Sequence, residues 1–413
     1  MPAVYRHLAC PGIEQKALDA FGVETCDEII ARCRLLRQID REVALQLIAA
    51  TWLTFNEIIE AENPDLVISF CIDYYVVDTL ERTLRQRGIP FVGFGGAPLE
   101  NYTVFTKRGE HNFLREPDEC EVDQALASIT DAQFAPFLPK RPRYNLQRFL
   151  EIQLYNQTRG LAFRFLGLWN RDPMNFYYWI ARKGYQVRLQ DFRVVKFIQN
   201  DWKSRLEATP FERRMFVALP FNPEATTDYW IRNVNLISYE KTLEHLATVL
   251  TEAGYSLFVK DHPNMFGIRH VGLYERLARI KGVTFVPFSV PAQFLIDNCY
   301  SSFTFSGTVG LQAALAGRCP VVIDSYYFVE GQFLRISSLE DITELPERIR
   351  QFATPQPLAE AQRQLVKQIL RTLAPGDTVA SFFGFDEHDS ACVERVKPLT
   401  QSLNDYLPLF LRR

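Results

Sequence analysis

The sequence predicts an α/β protein of two domains, the second built on a doubly wound parallel sheet. Three observations carry this reading. The chain has 413 residues, too many for one hydrophobic core and suited to two domains of about 150–200 residues each. Short, continuous apolar runs recur through its second half. Between them lie stretches with helical periodicity, the alternation that specifies parallel strands joined by helical crossovers.

Composition narrows the function. Apolar residues make up 47% and charged residues 23%, an ordinary globular balance. Lys plus Arg total 46 against 49 Asp plus Glu, so no basic domain or stripe speaks for nucleic acid. None of the eight cysteines forms a CxxC pair, and no histidine stands at metal-ligand spacing from them, so a reduced, cytoplasmic protein without a structural metal is expected. The opening MPAVYRHLACPGIEQKALD lacks a signal peptide's apolar core. No stretch approaches the roughly 20 apolar residues of a membrane span. Aromatics are abundant, with 32 phenylalanines.

The first 100 residues read as alternating helices and strands. Residues 43–60 carry apolar positions at helical spacing, and Asn63-Pro64 breaks the pattern. Asp65–Phe70 (DLVISF) has the continuous apolar run of a buried parallel strand. A helix over Val76–Arg87, closed by Gly88, and a strand Ile89–Phe94 complete one βαβ unit. Pro117–Arg143, rich in Pro and charge, reads as a connector. Residues 145–200 give helical material dense in Phe163, Phe165, Trp169, Phe176, Tyr177, Tyr178 and Trp179, mixed with Arg and Lys. Two readings stand for it: a hairpin packed on the sheets, or a basic amphipathic face for an acceptor or a membrane surface.

In the second half, Met215–Leu219, Ser256–Lys260, Val283–Val286, Ser302–Phe305 and Pro320–Asp324 read as strands. Helices are predicted from the Ser238 N-cap to Gly254, near His270–Ile280, over Pro291–Asn298 and over Thr308–Ala316, the last closed by Gly317. The expected division is residues 1–200 with the 145–200 insertion, then 201–375, then a helical tail over 376–413 that could return to the first domain.

Ligands of open parallel sheets bind at the carboxyl ends of the strands. Three ends carry unusual residues: Pro220–Thr227, Asp261-His262-Pro263 and Ser306-Gly307-Thr308-Val309-Gly310. A strand followed by Ser-Gly-Thr puts hydroxyls and free amides at the positive end of a helix, where a phosphate is stabilised. The same pattern also suits an ordinary N-cap. Pro263 fixes the turn after His262. Lys260 and His262 on one strand end, with Ser306 and Thr308 on another, could converge on one anion. The Ser-Gly-Thr turn alone reads equally well as structural, and a lone histidine after a strand more often is; their conjunction speaks for a ligand.

The strings FVALPFNPEATTDYW, LFVKDHPNMFG and FTFSGTVGLQAALAGRCPVVI, in that order over residues 213–330, resemble the bacterial capsule polysaccharide biosynthesis family, which includes β-Kdo transferases. The resemblance implies a GT-B fold: two Rossmann-like domains facing a cleft, here with the aromatic-rich segment between them, the acceptor on the first domain and a nucleotide-sugar on the second. In that family a His-Pro dipeptide and a Ser/Thr pair hold the nucleotide phosphate, commonly of a CMP-sugar. Here those would be His262-Pro263 and Ser306/Thr308, with Lys260 and Gly307 beside them. Glu224, Thr226 and Thr227 would line the cleft. Where the family shows an acidic residue this chain has Gln312, a departure that would weaken a ribose contact or change the donor.

The implied activity is transfer of Kdo or another CMP-activated acidic sugar to a surface polysaccharide or glycolipid, with no cofactor beyond the donor. Such transfer needs the leaving phosphate stabilised and the acceptor hydroxyl deprotonated, or the sugar captured by a carboxylate. Asp73, just beyond the DLVISF strand, is the candidate for the second task, with Asp78 and Glu100 as rivals. A sugar-nucleotide epimerase of the same fold, a non-catalytic nucleotide-binding relic and a membrane scaffold are the other function classes.

Overall fold

The computed structural model describes residues 2–8, 10–97, 99–130, 144–170, 189–222, 224–324, 327, 329–377 and 390–411. The expected aromatic cluster Phe176–Trp179, Pro223 and the 131–143 part of the connector lie outside the described residues. In chain order the strands are β1 (Val67–Phe70), β2 (Phe91–Gly96), β3 (Tyr102–Phe105), β4 (Arg214–Ala218) and β5 (Ser256–Lys260). They continue with β6 (Val283–Phe285), β7 (Ser301–Thr304), β8 (Cys319–Val322), β9 (Leu334–Arg335) and β10 (Leu373–Pro375).

The chain forms two compact units, neither continuous in sequence. Unit 1 comprises Met1–Pro136, Pro223–Val234 and Gln362–Arg413, and unit 2 comprises Phe137–Asn222 and Asn235–Ala361. The chain therefore changes units at places other than the expected 200/201 and 375/376 boundaries. Residues 137–200 fall with unit 2 and 223–234 with unit 1. Buried Arg32 holds the latter segment to unit 1, donating to the carbonyls of Asp228 at 3.1 Å, Ile231 at 2.7 Å and Arg232 at 2.9 Å. Arg37 adds an ion pair to Asp228 at 2.9 Å.

Unit 1 opens with helices Pro2–Leu8, Ile13–Phe21, Val23–Arg32 and Arg41–Glu62, so the expected helix–strand alternation begins only at β1. β1 and β2 pair in parallel around the Tyr75–Gln86 helix, the βαβ unit read from the sequence. β3 pairs antiparallel with β2, and β10 with β3, giving the order β1-β2-β3-β10. β1 is therefore an edge strand. Its Ile68 and Phe70 are 42% and 46% exposed, which corrects the expectation of a buried strand. An apolar run alone does not distinguish a sheet edge from its centre.

The C-terminal helix Ser390–Leu411 packs on this sheet, bringing Tyr406 and Phe410 against Phe105. Gly376 (φ +109°) makes the close approach after β10 possible. A Cβ there would lie 2.4 Å from the Leu399 backbone nitrogen, a clash no L side chain could accommodate.

Unit 2 carries a six-stranded sheet in the order β6-β5-β4-β7-β8-β9 with every neighbouring pair parallel. Order reverses between β4 and β7, the doubly wound signature. Leu206, Phe216, Phe258, Val286, Leu295, Ile296, Cys299 and Ala313 form one of its buried clusters. The Tyr239–Glu252, Val271–Ala278, Ala292–Asn298 and Val309–Leu315 helices lie within about two residues of the sequence reading. Ser238 sits at its expected N-cap position but makes no side-chain capping bond.

Candidate functional site

The carboxyl end of β5 carries a cluster of buried and half-buried polar residues. Lys260 ends the strand, 7% exposed. Burial pulls its pKa down to about 8, with Asp261 acting in the opposite direction. Half-buried His262 follows. Its pKa is pushed down to about 4, chiefly by burial, with Asp261 opposing and Lys260 and Arg269 adding to the shift. The imidazole is therefore neutral near pH 7. Its Nδ1 accepts from the Asn264 amide at 3.2 Å, so the ring proton belongs on Nε2, which is left as a donor. Pro263 opens the single turn Pro263–Met265 that His262 caps. The Phe221 ring lies 5.5 Å from the imidazole.

Asp261, between these two bases, serves the framework. It is 3% exposed and accepts from the His262 amide at 2.6 Å. The Arg269 Nε lies 3.0 and 2.9 Å from its two oxygens, and the Tyr274 hydroxyl also donates to it. Arg269, 4% exposed, donates further to the Tyr239 hydroxyl at 2.9 Å and to the Pro220 carbonyl. One guanidinium thus ties the end of β4 to the end of β5 and fixes the backbone that presents Lys260 and His262. A buried pair of this kind holds geometry only while both charges are present. Sequence reading missed this network. Asp261 was visible in the motif, but nothing marks Arg269, eight residues on, as buried.

The Ser306-Gly307-Thr308 turn lies at the carboxyl end of β7, on the same sheet edge but with β4 between it and β5. At ordinary strand spacing the two ends are roughly 10 Å apart. A ligand meeting both must span that gap. The turn also offers fewer amides than the sequence suggested. The Gly307 amide donates to buried Thr304 Oγ1 at 3.2 Å, and the Gly310 amide to the Gly307 carbonyl at 3.2 Å. Thr308 is the N-cap and makes no side-chain capping bond. Gly310 is needed for packing: a Cβ would sit 2.8 Å from Val322 Cγ1 and 2.9 Å from the Tyr327 hydroxyl. Half-buried Gln312 follows in the first helical turn, its amide bonded to the Thr308 carbonyl at 2.9 Å.

The carboxylates belong to unit 1. Asp73 follows β1; it is an exposed residue whose carboxyl is still desolvated enough to raise its pKa, with Arg34 acting to lower it. Glu224, on the 223–234 segment, is likewise exposed as a residue and raised by burial, with the Thr226 hydrogen bond opposing. Both reach the surroundings of Cys71, whose thiol is pushed up to about 12 by burial first, then by Asp73 and, less, by Glu224. Glu224 thus keeps company with Asp73 in unit 1, while Lys260 and His262 stand in unit 2. Thr226 Oγ1 donates to the Glu224 carboxylate at 2.8 Å, and buried Thr227 to the Glu224 carbonyl at 3.0 Å. Thr227 is accordingly a brace of the turn.

Of the two rivals, Asp78 is fully buried and held by Arg82 at 2.7 Å and by Arg108, a structural anchor. Glu100 is exposed after β2. Among the described residues no cluster of three or more His, Cys, Asp or Glu could hold a metal ion. The seven described cysteines are free thiols. No described helix is long and apolar enough to cross a membrane.

No family model matches the sequence, and no curated protein matches it. Solved structures give distant likenesses only. The Thermosulfurimonas dismutans KpsC β-Kdo 2,7 transferase is 10% identical at TM-score 0.36, over 84% of this chain and 88% of that one. The β-Kdo 2,4 transferase of the same KpsC is 12% identical at TM-score 0.33, over 76% and 82%. The Neisseria meningitidis UDP-GlcNAc 2-epimerase bound to UDP-GlcNAc is 12% identical at TM-score 0.25, over 79% and 81%. At these scores they show neither family nor activity. The α/β class rests on the sheet topology itself.

Proposed function

We propose that this chain is a nucleotide-sugar-dependent glycosyltransferase of the GT-B type. The observation that carries the reading is the end of β5, where two desolvated bases, Lys260 and His262, stand on a parallel sheet's carboxyl edge beside a rigid buried ion pair. Desolvated donors of this kind stabilise the charge that develops on a leaving phosphate. Lys260 supplies a cation and the His262 Nε2–H a hydrogen bond, while Ser306 and Thr308 offer hydroxyls along the same edge. Asp73, its pKa raised, is the proposed base for the acceptor hydroxyl, because a carboxylate closer to neutral pH takes a proton more readily. The motif resemblance supports a CMP-linked acidic sugar as donor and a surface glycan or glycolipid as acceptor. Transfer is proposed to proceed without a divalent metal, Lys260 meeting the leaving-group charge.

Thermal shift with CMP, UDP, GDP and their sugars tests the donor site. A ligand at about 100 times its Kd stabilises the fold by roughly 2.7 kcal/mol, and a cytidine nucleotide should give the largest shift. Preference for UDP or GDP removes the CMP reading, and no response to any nucleotide removes the donor site. NMR of the products then separates the classes. A new glycosidic linkage supports transfer, whereas an inverted ring carbon on an intact nucleotide-sugar identifies an epimerase. Activity lost in EDTA and restored by Mn²⁺ would overturn the metal-free proposal.

A further inference from the structure

Lys260 differs from the two residues that follow it in having no bonded partner. It is 7% exposed, and its amine makes no hydrogen bond and no ion pair with any described residue. Asp261 acts to keep it protonated, but that carboxylate is already engaged. Arg269 Nε lies 3.0 and 2.9 Å from its oxygens, and the Tyr274 hydroxyl donates to it as well. A buried amine without a counter-ion of its own is driven toward the neutral form, because a charge short of both water and a partner is costly. That form carries a free electron pair. The polar atoms of the described residues that are sealed from solvent without a partner do not include the Lys260 nitrogen, so its tip is open to a small molecule.

At pH 7.5 an amine titrating at about 8 is roughly one-quarter neutral, whereas one at the ordinary 10.5 is only about 0.1% neutral. Lower basicity weakens each neutral amine as a nucleophile, in the manner of thiols, and leaves a net advantage of roughly tenfold. The neighbouring imidazole selects the electrophile. It is near enough for the Lys260 charge to act on it. Its Nδ1 accepts from the Asn264 amide at 3.2 Å, which leaves Nε2–H as a donor. A reagent whose leaving group is phosphate would have that group met by this donor.

We propose that Lys260 is a modification site: its amine takes the acyl group of an acyl phosphate, and the amide so formed removes the cation that meets the donor. Only the loss of donor binding rests on the function proposed above; the acylation does not. In the step, the amine electron pair attacks the acyl carbon. The N–C bond forms as the C–O bond to phosphate breaks, phosphate leaves with that electron pair, and the amine proton passes to water.

The test treats the full chain with acetyl phosphate at pH 7.5 and follows acetyl-lysine by peptide mass spectrometry. Lys203 and Lys241, both exposed, are the internal references. Lys260 is expected to react roughly tenfold faster than either. Saturating CMP should protect Lys260 and leave the references unchanged, and the acetylated protein should bind CMP as weakly as Lys260→Gln does. His262→Ala should slow acetylation by acetyl phosphate but not by N-hydroxysuccinimide acetate, which carries no phosphate. Reaction at Lys260 no faster than at the references overturns the proposal. Equal slowing of both reagents in His262→Ala overturns the choice of an acyl phosphate. Fast acetylation that CMP leaves unchanged keeps the reactive amine and removes Lys260 from the donor site, so the two readings fail separately.

Discussion

Around the end of β1, unit 1 offers carboxylates, Asp73 and Glu224, whose pKa values burial raises. At the end of β5, unit 2 offers bases, Lys260 and His262, whose pKa values burial lowers to about 8 and about 4. Desolvation acts on both regions in the same way: it disfavours the charged form of whatever group is there. The consequences are opposite. A carboxylate so treated becomes a better proton acceptor near neutral pH, and a buried amine becomes a centre that gains strongly from an arriving anion. The scaffolds differ too. Arg32 clamps backbone carbonyls of the 223–234 segment in unit 1, whereas Arg269 in unit 2 meets the buried carboxylate of Asp261.

If the two regions divide the labour, substitutions should separate turnover from nucleotide binding. The largest effect is expected from Asp73→Asn, which should cut turnover by about 10²–10⁴-fold and leave the nucleotide Kd unchanged by titration. Normal turnover in that variant would move the base to Glu224 or Glu100.

Arg269→Met should come next, seen first in stability. It strands Asp261, which is 3% exposed, and breaking such a pair costs about 3–5 kcal/mol, measurable by urea unfolding. Arg269→Met/Asp261→Leu should recover much of that loss. A single variant as stable as wild type would mean the pair does not hold the β4 and β5 ends.

A smaller loss is expected for His262→Ala: about ten- to hundredfold in nucleotide affinity, the equivalent of roughly 1.5–3 kcal/mol for one charged-group hydrogen bond, with the fold intact. Unchanged affinity would sink the donor assignment.

The smallest effect is in pH dependence. Lys260 titrates near 8 when folded against an ordinary 10.5. Its burial therefore penalises the folded state below about pH 8, and the penalty disappears as pH rises to 10.5. For a CMP-linked sugar, whose phosphodiester does not titrate in this range, affinity should be flat from pH 5 to 7 and decline above about 8. A rise in affinity on acidification below about 6.5 would show that His262 binds as the imidazolium, contrary to its depressed pKa.

The parallel sheet of unit 2 was legible because each strand is a short apolar run closed by a turn residue, with a periodic helix after it. Phe216, Phe258 and Phe303 are buried in such runs. The same signal misled at β1, where Ile68 and Phe70 look central and lie at an edge. Chain order placed Glu224 beside the donor residues. The structure places it in unit 1, because the carbonyl bonds of Arg32 reach nearly 200 residues along the chain and leave no local pattern. Lys260 and His262 could be named from motif strings, but the burial that sets their protonation could not. The Phe221 ring beside His262 and the charge of Arg269 acting on it take their places only in the folded chain.

The return of the C-terminus to unit 1 has a consequence for synthesis. The sheet of unit 1 begins with β1 and is finished only by β10 and the Ser390–Leu411 helix, the last secondary structure described. All the described strands of unit 2 lie between β3 and β10. Domains generally fold as their residues emerge. Here unit 2 can close while unit 1, started first, still exposes the apolar face of Val92, Phe94 and Phe105 that the final helix covers. Of the two units, the one whose first strand is made earlier is therefore completed later, and a ribosome stalled before residue 373 would hold a chain with every described strand of one sheet made and the other sheet still lacking β10.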